Sequence, residues 1–473
     1  MVFNSSIFAV FLFVVFFLYW FVFQKTLRRR NFFLLVVSYI FYGWWDWRFL
    51  SLLFLTSSID YITGFYLDRT QKQQARKYLL AVSLVTNLGV LAVFKYYDFF
   101  VTSFVDAVES IGLNLHTETL HIILPVGISF YTFQSLGYSI DVYRKNLKAS
   151  NDIIAFLAFV SFFPQLVAGP IERAKQLLPQ FIEKKTFDYA YAVSGLRLML
   201  WGFFKKIVIA DNAAIFVDKV YSSPEAFAGH NILIATFLFA IQIYCDFSGY
   251  SDIAIGCARL FGFDIMKNFN DPYFALSPKE FWRRWHISLS TWFRDYVYIP
   301  LGGNKNGDNK TIANLFLTFL LSGLWHGPNF TFIAWGALHG TAVSVQTFFE
   351  QRKVHFNVSK YVSGMFTFLF VCFCWIFFRA ENLSDAGTLL KNIFDGQHAE
   401  KTKLFQSAGA CIVLCQSLAL FVVLEVGIRN KRLQKKFFAF KKPLRWAIYY
   451  LLVFYIIFFG AFDNPPSFIY FQF

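Results

Sequence analysis

Two histidines sit in settings that suit proton transfer. His326 lies in Leu321-Ser322-Gly323-Leu324-Trp325-His326-Gly327-Pro328-Asn329-Phe330, where glycines and a proline interrupt apolar sequence. An imidazole with an ordinary pKa of about 6.5 is mostly neutral at physiological pH and can take a proton from a hydroxyl. A lone histidine in such a place also serves as a packing residue; the Gly-Pro break and adjacent Trp325 weigh against that simpler role. His286 lies in Trp285-His286-Ile287-Ser288-Leu289-Ser290, after Arg283 and Arg284 and before Arg294. Guanidinium groups bind phosphate oxygens in bidentate fashion, so these arginines form a candidate binding set for a phosphate-bearing donor. His339, in Trp335-Gly336-Ala337-Leu338-His339-Gly340, suits packing or support of the reacting group. None of these histidines has the H-x-x-x-H spacing of a helical metal site, and no metal is expected.

A second polar group precedes them. Gln242, Tyr244, Asp246, Ser248, Tyr250, Ser251 and Asp252 fall within an apolar stretch. Carboxylates at membrane depth are costly, so Asp246 and Asp252 are expected to face a cavity or a partner. A cluster of hydrogen bonds between packed helices explains them equally well. With Trp325 and Asn329, these residues make 242–340 the polar region of the chain.

The elements carrying these residues follow from local signals. Ser277 and Glu280 form a capping box with Pro278 at the first helical position. From there the spacing predicts one helix to Tyr296. On it Trp282, Trp285, Leu289, Trp292 and Tyr296 share a stripe, and Arg283, His286, Ser290 and Arg294 share another. Such a helix suits a membrane interface, either as an anchor or as a holder of an anionic ligand.

The rest of the sequence is membrane-like. Of 473 residues, 57% are hydrophobic, 21% aromatic and only 15% charged. Soluble proteins carry about 25% charged residues. The composition excludes disorder, collagen and an ordinary cytosolic globule, and leaves a multispanning membrane protein. Candidate spans are 7–24, 31–43, 48–67, 78–96, 121–140, 190–213, 231–265, 311–323, 329–350, 361–378, 408–427 and 445–461. The stretch 152–170, holding Pro164, Gly169 and Pro170, is expected to be re-entrant. The first span lacks a preceding basic region and a small-residue cleavage site, unlike a removable signal.

The formal net charge of +15 alone would suggest nucleic acid. Its distribution argues otherwise. Basic clusters follow alternate spans: Arg28 to Arg30, Arg69 to Lys77, Arg144 to Lys148, and Arg429 to Arg445. The intervening loops carry Asp98, Asp106, Glu109 and Glu118, or Glu381, Asp385 and Asp395. Twelve crossings with both ends outside satisfy this pattern, with the basic loops cytoplasmic. Nucleic acid is not an expected partner. The six cysteines, including Cys372/Cys374 and Cys411/Cys415, lie in apolar runs as core fillers. No internal repeat supports a transporter built on inverted halves.

Several stretches together are similar to the membrane-bound O-acyltransferase family, in particular its bacterial branch acting on alginate and peptidoglycan. They are Asn31–Trp45, Leu124–Arg144 (LPVGISFYTFQSLGYSIDVYR), Phe163–Arg173 (FPQLVAGPIER), Tyr244–Gly256 (YCDFSGYSDIAIG), Phe281–Gly303, Ser322–Gly340 and the terminal FIYFQF. The resemblance runs nearly end to end and implies one polytopic domain over 1–473. It implies an all-α membrane bundle of 11–13 segments around a central tunnel, in a bacterial inner membrane. It identifies His326 with the family's essential histidine and His286 with its supporting one. It further implies a thioester donor on the cytoplasmic side, acetyl-CoA or an acylated carrier protein, and no permanently bound cofactor. The acceptor would be a polysaccharide outside, reached directly or through a separate exported SGNH-type transferase. D-alanyl transfer to teichoic acid is the branch's other chemistry, and a non-enzymatic transporter using Asp246 and Asp252 remains a different class.

Overall fold

The structure is a computed structural model that describes all residues except 114–118, 121, 168, 306, 355, 396–403, 406–407, 463–465 and 472–473. Glu118, Ala168, Gln472 and Phe473 therefore lie outside the described residues. In chain order the first helices are α1 (Ser6–Phe17), α2 (Leu27–Gly43), α3 (Leu50–Arg69), α4 (Gln73–Leu91), α5 (Tyr97–Glu109) and α6 (Ile128–Tyr143). Next come α7 (Ile153–Val160), α8 (Phe163–Leu166), α9 (Ala174–Ile182), α10 (Tyr189–Phe203), α11 (Asp211–Tyr221) and α12 (Gly229–Leu260). The polar region holds α13 (Pro278–Arg284), α14 (Ile287–Phe293), α15 (Asp308–His326) and α16 (Phe330–Gln351). The remainder is α17 (Lys360–Arg379), α18 (Leu383–Phe394), α19 (Ala408–Arg429), α20 (Lys431–Ala439) and α21 (Lys442–Phe459). Among the described residues no strand occurs.

Among the described residues six helical stretches are long and apolar enough to cross a membrane: 47–69, 73–109, 229–260, 360–379, 408–429 and 442–459. Burial separates them. α12 is 78% buried over its most apolar stretch, while α21 is only 6% buried. Helices that face lipid can be apolar all round, so α21 is peripheral and α12 is the axis of the bundle. The short span expected at 311–323 is part of the 19-residue α15, and that at 31–43 extends back to Leu27. The span expected over 190–213 continues through a wide-turn segment, Phe204–Ala210, into α11. The stretch 152–170 is a pair of short buried helices, α7 and α8, with Pro164 in the first turn of the second.

Side-chain clamps group the loops into two ends. Arg76 donates to Val142 O (3.2 Å) and Tyr143 O (2.6 Å), joining the α3–α4 loop to the end of α6. Arg144 donates to Asp295 O at 3.0 Å, and buried Arg30 donates to Lys185 O at 3.0 Å. Arg76 here satisfies the exposed carbonyls of the α6 C-terminus, and Arg144 and Arg30 those of connecting segments. At the opposite end, Asn329 Nδ2 donates to Glu381 O at 2.6 Å and Tyr96 OH to Leu324 O at 2.8 Å. The basic clusters and the acidic loops thus occupy opposite ends of the bundle.

α10 and α12 run antiparallel with their backbones in contact. A Cβ on Gly202 would meet Gly249 O at 2.6 Å, and one on Gly256 would meet Gly195 O at 2.5 Å. Small residues at matched positions allow this approach, and dispersion between backbones then replaces the hydrophobic effect that lipid cannot supply. Replacing Gly256 by leucine should separate the two helices. The expected outcome is a sharp drop in monodisperse protein after detergent extraction, read by size-exclusion chromatography, whereas Gly427→Leu on α19, where nothing lies within 4 Å, leaves the yield unchanged.

Candidate active site

His326 is the last residue of α15 and is 3% exposed. The helix stops there because Gly327 is extended and Pro328 cannot continue it. Its unpaired terminal carbonyls are met by two neighbouring side chains: Tyr96 OH on Leu324 O, and Lys95 Nζ, which donates to Trp325 O at 2.8 Å and to His326 O at 2.9 Å. An ammonium at a helix C-terminus also complements the macrodipole. The imidazole stands among aromatic rings, with Trp335 at 4.9 Å, Trp325 at 5.0 Å, Phe378 at 5.3 Å and Tyr470 at 5.7 Å between centroids. Among the described residues neither Nδ1 nor Nε2 has a hydrogen-bond partner. Buried polar atoms are rarely left so. It lines a cavity of about 60 Å³ together with Lys95, Trp325, Tyr470 and residues 124–130.

His286 departs from the sequence expectation. The single helix expected over 278–296 is broken: Trp285 is extended and His286 adopts a left-handed φ of 42°, ending α13 and starting α14. The break turns His286 inward, fully buried, away from the stripe it was expected to share with Arg283, Ser290 and Arg294. Its Nδ1 accepts the Leu289 N–H at 3.4 Å as a cap, while Nε2 has no partner among the described residues. Its ring lies 6.2 Å from Trp325 and 6.1 Å from Tyr470, so both histidines share one aromatic chamber. The tryptophans expected in the headgroup zone are inside as well. Trp282, Trp285 and Trp292 are each at most 8% exposed, and Trp292 stacks on Phe133 at 3.7 Å.

The arginines divide. Arg283 and Arg294 line a groove of about 530 Å³ with Lys279, Ser290 and Tyr298. Arg284 does not; it pairs with Glu280 at 2.5 Å and donates to Asp271 O. Partial burial works against it, but the Leu276 N–H and the Arg284 guanidinium hold the Glu280 carboxyl below its ordinary range. Arg294 pairs with Asp295, which also meets Arg173 at 3.0 Å and lies beside Arg144. The groove therefore opens at the basic-loop end.

The remaining polar residues have structural partners. Asp246 meets Lys206 at 2.8 Å, and Lys206 also meets Asp211 at 2.7 Å. Asp252 meets Lys205 at 2.7 Å, and the same ammonium donates to Ser248 Oγ at 2.9 Å. Asp246 also accepts the Ile469 N–H at 2.8 Å, drawing residues 466–471 into mid-bundle. Asn329 caps α16 by accepting the Thr331 N–H. His339 accepts the Trp282 indole N–H at 3.2 Å and is linked to His326 only through the Trp335 ring. Sequence reading missed Lys95, Lys205, Lys206 and Tyr470. A lysine within an apolar run was the available signal for the first three. Removing the charge of Lys206 leaves two buried carboxylates unpaired, at a cost of about 3–5 kcal/mol. Lys206→Met should thus lower the thermal unfolding temperature in detergent more than Asp246→Asn does, measured by tryptophan fluorescence.

With this geometry in view, the comparisons with known proteins are specific. The model of the membrane-bound O-acyltransferase family matches residues 144–383. The probable alginate O-acetylase AlgI of Pseudomonas putida is 41% identical over 441 residues, covering 91% of this chain and 89% of the relative. The peptidoglycan O-acetyltransferase of Helicobacter pylori is 36% identical over 424 residues, covering 83% and 80%. The teichoic acid D-alanyltransferase of Bacillus subtilis is 30% identical over 287 residues, covering 56% and 71%. On this family match and on relatives similar over most of its length, the chain belongs to the membrane-bound O-acyltransferase family.

Proposed function

We propose that this chain is an integral-membrane O-acetyltransferase of the bacterial inner membrane. It moves an acetyl group from a cytoplasmic thioester towards the hydroxyls of an envelope or secreted polysaccharide, an alginate-like polymer or peptidoglycan. The observation that carries this reading is His326 itself: buried, with both ring nitrogens free of partners among the described residues, and facing a small cavity. His326 accepts the proton of the attacking hydroxyl and returns it to the departing thiolate. His286 walls the same chamber from the α13–α14 break.

Cavity size and the placement of charge support this reading. The small cavity of about 60 Å³ at His326 supports a small acyl group such as acetyl. Arg283 and Arg294 hold the phosphates of acetyl-CoA, or of a phosphopantetheine arm, at the basic-loop end, which the positive-inside rule makes cytoplasmic. His326 belongs to the acidic-loop end, nearer the acceptor. A separate exported SGNH-type transferase completes the transfer to polymer. The second reading, D-alanyl transfer to teichoic acid, rests on the B. subtilis relative; its similarity spans a smaller share of this chain.

His326→Ala should lower acyl transfer by at least about 10²–10⁴-fold with normal membrane abundance. Ester-linked acetate on extracted polymer measures it, and undiminished ester would sink the assignment. A transporter would instead suffer more from Asp246→Asn. In a donor titration, Arg283→Ala with Arg294→Ala should raise the KM for acetyl-CoA about tenfold or more, while Arg284→Ala leaves it nearly unchanged. Equal effects of the three arginines would contradict the division seen at the groove.

A further inference from the structure

The cavity in front of His326 has a second wall that the reading above leaves without a task. Opposite the imidazole is the start of α6. Gly127, with φ of 77°, caps that helix without any side-chain hydrogen bond, and Ile128, Ser129 and Phe130 follow it along the cavity wall. The Ile128 N–H is taken by Pro125 O at 3.1 Å, and the Phe130 N–H by Gly127 O at 2.9 Å. Among the described residues the Ser129 N–H has no backbone acceptor, and Ser129 is only 8% exposed. Lys95 Nζ closes the third side. It spends two of its three N–H groups on Trp325 O and His326 O, and it lines the same cavity.

An ammonium group, a helix N-terminus and a partnerless imidazole therefore converge on one acetyl-sized space. The first two offer positive potential; the third offers a proton acceptor. That arrangement is wasted on a neutral packing void and suits a carbonyl whose oxygen becomes negative.

We propose that this cavity is an oxyanion subsite in which Lys95 Nζ and the first turn of α6, through Ser129, hold the carbonyl oxygen of the thioester. The proposal rests on His326 acting as the base. The acceptor oxygen forms a bond to the carbonyl carbon, its proton passes to an imidazole nitrogen of His326, and the carbonyl π pair moves onto oxygen, facing Lys95 and Ser129. Collapse of that adduct restores the carbonyl and breaks the carbon–sulfur bond. The thiolate leaves and takes the proton back from the imidazolium, so the balance needs no further reactant. Gly127 is required because its left-handed turn brings the α6 N-terminus to the cavity, and a Cβ there would meet Leu166 O at 2.7 Å.

The test uses the full-length chain in nanodiscs with acetyl-CoA and a mannuronate oligomer as probes, following release of the CoA thiol. Lys95→Gln should lower kcat about 10²–10³-fold with KM for acetyl-CoA within about twofold of the wild type, the signature of a contact made in the transition state. Lys95→Arg, which keeps the charge, should recover at least about tenfold of that loss. Ser129→Ala, which leaves the clamp on α15 intact, should lower kcat about tenfold. The proposal is overturned if Lys95→Gln stays within about threefold of the wild type. It is equally overturned if arginine and glutamine are equally impaired, since that is a packing role. Where the Lys95 variants do not yield folded protein, an unchanged rate for Ser129→Ala is the deciding negative. His326→Ala run alongside separates the two ideas: activity persisting there removes the base assignment itself, whereas an inactive His326→Ala beside a fully active Lys95→Gln removes only the oxyanion subsite.

Discussion

The buried ion network along α12 is the constraint on which the rest of the molecule depends. Lys206 satisfies both Asp211 and Asp246, and Lys205 satisfies Asp252 and Ser248, all from one wide-turn segment between α10 and α11. A carboxylate in an apolar bundle is tolerable only when so paired. Asp246 then uses its second oxygen to accept the Ile469 N–H. That bond brings Tyr470 against His326 and His286, so a charge pair midway along α12 fixes an aromatic wall of the chamber that holds both histidines. His326 depends on the network without touching it.

A division of ends follows from the same bundle. Cationic side chains clamp the loops at one end, and the groove holding Arg283 and Arg294 opens there. α15 runs for 19 residues, about 28 Å if straight, and the groove follows it as far as Ser322, one turn before His326. The groove at the arginines and the cavity at His326 share no lining residue. The break at His286 connects their surroundings, because α13 and α14 descend from the arginines to the aromatic chamber. Left-handed backbone at a non-glycine residue is costly, and here it accompanies the histidine's inward turn.

Much of the site was legible as residue types. His326 stood out because a glycine–proline break is unexpected within apolar sequence, and Arg283 and Arg294 because they flank a capped helix. What misled was periodicity. The stripe joining Arg283, His286, Ser290 and Arg294 assumed a continuous helix, and the helix breaks at 285–286. Arg284 is taken out of the groove by Glu280, an intrahelical pair that its i,i+4 spacing already allowed. Asp246 and Asp252 invited a transport reading because their lysine partners lie some forty residues earlier in sequence.

By itself the sequence determined the membrane environment, the helical class, the alternation of basic and acidic loops, and which histidines merit attention. These are properties of composition and local pattern, and solvent imposes them residue by residue: lipid demands apolar side chains and internally satisfied backbone. The tertiary structure alone decided which polar groups pair and which stand unpaired. Lys95 reaches the end of α15 from 230 residues away in sequence, and Asp246 holds Ile469 from 223. Such partners are chosen by helix packing, where glycine contacts set how closely backbones approach, and no local pattern encodes that choice. The imidazole of His326 stands open for the same reason: among the described residues, helix packing brings no hydrogen-bond partner to either ring nitrogen.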